Sequence, residues 1–137
     1  MDPTVWGSCL WKTLHIVSLG YSDTPTPEQM INYKTFYENF WKVIPCYACS
    51  QNYQRHLIEL PLEDGYLSNR KKLFEWTVIL HNVVNEELGK KKLTLKEATQ
   101  YYADMTKKTP KMAEFGYQWI LIFIIMVLLG YILFKKK

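Results

Sequence analysis

Two thiols stand three residues apart in Pro45-Cys46-Tyr47-Ala48-Cys49, the only closely spaced pair in a chain with three cysteines. Such a pair can switch between dithiol and disulfide, or supply two sulfur ligands to a metal. Pro45 suits a helix opening, so Cys46 is expected in the first turn of a helix running to about Ile58, with Cys49 on the same face. The positive end of that helix favours the thiolate that redox exchange requires. Three competing readings stay open on residues alone. A zinc site would draw on Cys46, Cys49, His56 and His81, but the two histidines lack finger-like spacing. A thioredoxin-like domain needs a strand before the motif, and an inert structural pair needs nothing further.

The elements that must hold this pair read as helices. Asp2 before Pro3 caps helix one, with Trp6, Leu10, Leu14 and Val17 as its stripe and Trp11 and His15 one turn apart on a second face. Gly20 to Asp23 ends it. Thr26-Pro27-Glu28-Gln29 is a capping box for helix two, which continues through Met30, Tyr33, Phe36 or Tyr37, Phe40 and Val43 to about Ile44. After the cysteine helix, Ser68 is the expected cap of helix four, whose stripe is Leu73, Trp76, Leu80, Val84 and Leu88, with Gly89 as its stop. Thr94-Leu95-Lys96-Glu97 opens a shorter fifth helix through Ala98, Tyr102 and Met105. No segment alternates like a strand. The expectation is an all-α four-helix bundle with a short fifth helix, occupying 1–106.

Residues 107–114 read as a linker, and 115–134 form an uncharged run that would span roughly 30 Å as a helix, the thickness of a bilayer core. Tyr117, Trp119 and Tyr131 resemble interfacial belts, and 135–137 form a basic tail. No N-terminal signal is visible, so the expectation is a single-pass protein anchored at its C-terminus in a host or virion membrane, its domain facing the cytosol. The net charge of +4 gathers in lysines of the last third, explained by a solvated face and a membrane flank. Without basic stripes interleaved with aromatics, nucleic-acid binding is set aside.

Three blocks together carry a resemblance. They are Trp6-Gly7-Ser8-Cys9-Leu10-Trp11-Lys12-Thr13-Leu14-His15, the Pro45 to Cys49 motif, and Trp76-Thr77-Val78-Ile79-Leu80-His81-Asn82-Val83-Val84-Asn85 with Lys90 beyond it. In order and spacing they resemble the Erv/ALR family of FAD-linked sulfhydryl oxidases, across Trp6 to about Tyr102. The resemblance implies FAD held noncovalently in a four-helix bundle, a homodimer, and transfer of electrons from a thiol-bearing partner through the cysteines and FAD to oxygen, giving hydrogen peroxide. It assigns Cys46 to the incoming thiol and Cys49 to the flavin. It also carries Gly7, Trp11, His15, His81, Asn85 and Lys90 to cofactor binding, with no metal. Trp76 reads as core.

The pattern departs from the family in two ways. A second, shuttle cysteine pair is missing; Cys9 is the remaining cysteine, expected as a buried unpaired thiol or, less simply, an intersubunit link. Tyr101-Tyr102 stand where the family more often has a tryptophan near the adenine. The small core, missing shuttle and apolar tail resemble members encoded by large cytoplasmic DNA viruses. The rival function is a non-enzymatic, tail-anchored interaction protein with a structural or zinc-bound pair.

Overall fold

The computed structural model describes residues 2–107 continuously and, beyond them, 119, 121–128 and 134–135. The elements are α1 (Pro3–Leu19), α2 (Pro27–Asn39), a 3-10 turn (Phe40–Val43), α3 (Tyr47–Glu59), a second 3-10 turn (Tyr66–Ser68), α4 (Arg70–Glu87) and α5 (Leu95–Lys107), with no strand among the described residues. The chain divides into two compact units, 1–99 and 100–137. The bundle and every candidate site residue belong to the first.

Local chemistry sets the helix ends. The Asp2 carboxylate accepts from the Thr4 amide at 2.8 Å, and Thr26 and Gln29 complete their reciprocal capping box at 3.2 and 3.0 Å. Thr94 and Glu97 do the same for α5. Gly89 takes φ +64 as the residue after the α4 cap, a left-handed conformation that glycine adopts without a Cβ penalty. Helix four starts differently from expectation: Asn69, not Ser68, is its cap, with its side chain accepting from Lys72 at 3.0 Å, because Ser68 is already used in the 3-10 turn. Helix two also ends sooner. Its last residues tighten into the 3-10 turn, and Ile44 is extended (ψ 122), as the residue before a proline prefers.

The core closes around Trp76, with Leu14, Tyr21, Tyr37, Tyr53, Leu67, Leu73 and Leu80 packed in one cluster. The polar tips of this cluster find carbonyls on other segments: Tyr21 Oη donates to Leu67 O, Tyr37 Oη to Leu14 O, Tyr53 Oη to Tyr37 O, and Trp76 Nε1 to Leu60 O. These bonds tie α1, α2, α3 and α4 together through large buried rings whose polar ends are satisfied. Trp76 is the core residue its spacing implied. Two stripe positions are not: Val43 is 72 % exposed at the end of the 3-10 turn after α2, and Leu88 is 61 % exposed at the C-cap of α4.

The second unit holds the last turns of α5, where Gln100 Nε2 donates to Asp104 at 2.9 Å. The span expected at 115–134 lies largely outside the described residues. Among the described residues no helix is long and apolar enough to cross a membrane; 121–128 are helical and their side chains exposed.

Candidate active site

Cys46 and Cys49 form a disulfide across the start of α3, their Cα atoms 5.2 Å apart. Cys46 is the N-cap of α3 rather than a first-turn residue: it is extended (φ −144, ψ 115), and its sulfur accepts the Cys49 amide at 3.3 Å. The physical reason is that the 3-10 turn and Pro45 bring the backbone in extended, so Tyr47 becomes the first helical residue. The redox consequence is favourable, because negative charge left on Cys46 after reduction would meet both an amide N–H and the positive helix end. Ser50, buried beside Cys49, donates to Trp41 O at 2.7 Å and fastens α3 to the preceding turn. Tyr47, between the sulfurs in sequence, is 82 % exposed.

A second constellation forms where α1 meets α4. The rings of Trp11 and His81 stack with centroids 4.1 Å apart and planes 4° from parallel. His15 Nε2 lies 3.0 Å from His81 Nδ1, and His15 Nδ1 lies 2.9 Å from Thr77 Oγ1. Burial, and then the neighbouring His81, push the His15 pKa down to about 3; burial and Lys90 push that of His81 to about 4. Both imidazoles are therefore neutral at pH 7. Asn85 continues the Thr77–His81 face one turn further on, only 9 % exposed, and its side-chain amide makes no hydrogen bond among the described residues.

The loop after α4 sorts its lysines. Lys91 pairs with Glu97 at 2.9 Å and Lys92 with Glu86 at 3.0 Å, while Lys90 has no ion pair among the described residues and acts on His81. Asn82 pins the same loop through both Leu93 backbone groups, at 2.7 and 2.9 Å. Gly7 lies one helical turn before Trp11, and a Cβ built there would meet nothing within 4 Å. This space, the Asn85 amide, the Lys90 cation and the Trp11–His81 ring stack suit a dinucleotide with aromatic rings and a pyrophosphate. The residues fit FAD.

Sequence similarity now decides the family: the signature of the Erv1 / Alr family matches residues 8–106. The chain belongs to the Erv1 / Alr family. It is 42 % identical over its full length to a protein of Acanthamoeba polyphaga mimivirus described as a "Probable FAD-linked sulfhydryl oxidase", of which 98 % is covered. It is 32 % identical to a FAD-linked sulfhydryl oxidase of African swine fever virus, across 71 % of this chain and 79 % of that one. The crystal structure of the FAD binding domain of Erv1 from Saccharomyces cerevisiae superposes with a TM-score of 0.65 at 29 % identity, covering 70 % of this chain and 89 % of that one.

Within this family frame, Trp11, His15 and His81 are brought into direct contact, Asn85 shares their helix face, and Lys90 lies within electrostatic reach. Cys46 and Cys49 join each other and no member of that nest by hydrogen bond or ring contact among the described residues. The zinc grouping does not assemble: His56 is bound to Glu87 at 2.9 Å and His81 to His15, and no cluster of metal-ligating residues occurs among the described residues. Cys9 is exposed, not buried, since the α1 face that buries Leu14, His15 and Ser18 points away from it. Sequence reading missed Thr77 as a partner of His15. Its position one turn before His81 was the available signal.

Proposed function

We propose that the protein is a FAD-linked sulfhydryl oxidase that converts protein dithiols to disulfides and reduces oxygen to hydrogen peroxide. The observation that carries this reading is the Cys46–Cys49 disulfide capping α3 in a chain of the Erv1 / Alr family. A substrate thiolate attacks Cys46 Sγ, giving a mixed disulfide and releasing Cys49 as thiolate; a second substrate thiolate then displaces Cys46. The substrate leaves oxidised, and both electrons remain on the Cys46/Cys49 dithiol. FAD held at this site would supply the two-electron chemistry that links the dithiol to oxygen, which side chains cannot perform.

Trp11, His15 and His81 supply ring surface for the cofactor, Asn85 an amide, Lys90 a cation for the pyrophosphate, and Gly7 room for close approach. Val43 and Tyr47, both exposed and within three residues of Cys46 in the chain, would form the rim across which the substrate segment lies. The exposed Val5 and Ile16 of α1, with Ile31 and Phe36 of α2, support a homodimer. The uncharged run 115–134 supports a C-terminal membrane anchor.

The test is the visible spectrum of the purified protein without oxygen. A bound flavin should bleach when a dithiol is added and recover with air, releasing peroxide. A folded protein that neither carries nor takes up FAD overturns the reading.

A further inference from the structure

The hydrogen bonds between α1 and α4 have only one consistent set of protons. Thr77 Oγ1 is 2.8 Å from Phe74 O, and a carbonyl cannot donate, so the Thr77 proton is committed to that bond. Its other neighbour, Ser18 Oγ at 3.4 Å, spends its own proton on His15 O at 2.7 Å. Thr77 Oγ1 must then accept from His15 Nδ1 at 2.9 Å. Reversing that bond would set an oxygen lone pair of Thr77 against the Phe74 carbonyl across 2.8 Å in a buried, low-dielectric interior, where such repulsion is costly. With Nδ1 protonated, neutral His15 offers only a lone pair at Nε2, so the proton in the 3.0 Å contact with His81 belongs to His81 Nδ1.

We infer that Thr77 is a positioning residue which, through His15, holds His81 as its Nδ1–H tautomer, so that His81 Nε2 accepts a hydrogen bond from an N–H or O–H group of the bound flavin dinucleotide. The inference rests on the FAD reading above and deepens it. It also divides the labour of the site. A phosphate oxygen carries no proton at neutral pH and is repelled by a bare imidazole lone pair, so the pyrophosphate belongs with Lys90, and His81 contacts a base, ring or sugar donor. The Thr77–His15–His81 chain spans α1 and α4, whose packing thereby sets the hydrogen-bonding identity of a ligand-facing atom.

The tautomers can be read directly by long-range proton–nitrogen NMR of the imidazoles in the full-length protein at pH 7. Wild type should show Nδ1–H on both His15 and His81; an Nε2–H signal on His81 overturns the inference, with or without any variant. Thr77→Val, which removes the acceptor but keeps the shape, should release His15 to the Nε2–H form, flip His81, and weaken FAD binding about tenfold. Thr77→Ser should restore both. A Thr77→Val protein with unchanged tautomers and unchanged FAD affinity removes the positioning role. Adding FAD should shift the His81 Nε2 resonance, and no shift overturns the contact. Analogues lacking the adenine amino group or methylated at flavin N3 identify the donor: the one that fails to shift the signal has lost it, and shifts from both assign it to a hydroxyl. A protein without FAD affinity would fail the oxidase reading, whereas the tautomers of the free protein would still report on Thr77.

Discussion

Acidification from pH 7.5 to 5.0 should destabilise the fold by an amount set by two buried histidines. In the folded chain their pKa values lie at about 3 for His15 and about 4 for His81, against 6.5 when exposed. Depressed folded values mean that the unfolded chain binds these protons more tightly. Stability is therefore complete above pH 6.5 and declines as pH falls from there toward 4 and 3. At pH 5.0 each unfolded histidine is almost fully protonated and each folded one almost fully neutral, so each costs about 2 kcal/mol and the pair about 4 kcal/mol relative to pH 7.5. The result depends little on the folded values while they lie below 5. The structural carboxylates act lower: Glu87 and Glu97 are held below their usual 4.5 by their bonds to His56 and Thr94, so their contributions fade below that pH. Urea unfolding followed by far-UV circular dichroism, at one FAD concentration, should show the midpoint falling by about 2–3 M for a slope near 1.5 kcal/mol per molar. His81→Asn should remove about half of the loss. A midpoint that does not move between the two pH values, or that moves equally in the variant, refutes the account of this pair.

Other consequences follow from named contacts. Cys46→Ser and Cys49→Ser should each abolish peroxide production with a reduced protein substrate while leaving helical circular dichroism intact; turnover near wild type in either would remove its assigned role. Replacing Val43 and Tyr47 together by serine should raise KM for a reduced protein or peptide roughly tenfold, since each exposes apolar area that a docked segment would bury. The same variant should leave turnover of a small dithiol unchanged, and an equal loss with both substrates would place the defect in the chemistry instead of in docking. Tyr37→Phe removes the 2.8 Å bond from its hydroxyl to the Leu14 carbonyl, which keeps its place in the α1 ladder, and should cost about 0.5–1.5 kcal/mol in urea titrations. An unchanged midpoint would show that this bond adds no net stability.

The one-dimensional signals determined what is local. Caps at Asp2, Thr26 and Thr94, the stop at Gly89, and apolar recurrence at helical spacing specify five helices, because those features act within one or two turns of chain. The Cys46–Cys49 spacing likewise made the pair legible as a redox candidate. Helix starts near short turns were less legible: Cys46 caps α3 and Asn69 caps α4 because the preceding 3-10 turns consume residues that periodicity alone would give to a helix.

What only the tertiary structure decided is how distant faces meet. Nothing near His15 in sequence foretells that Thr77, 62 residues away, fixes its proton, or that Trp11 lies flat against His81. The same holds for Cys9 and Val43, whose apolar character suited burial but which face outward, one on α1 and the other in the 3-10 turn after α2, once the helices pack on Trp76. Protonation states and stacking depend on which helix faces share the dry interior, and that is set by the packing of all the helices together.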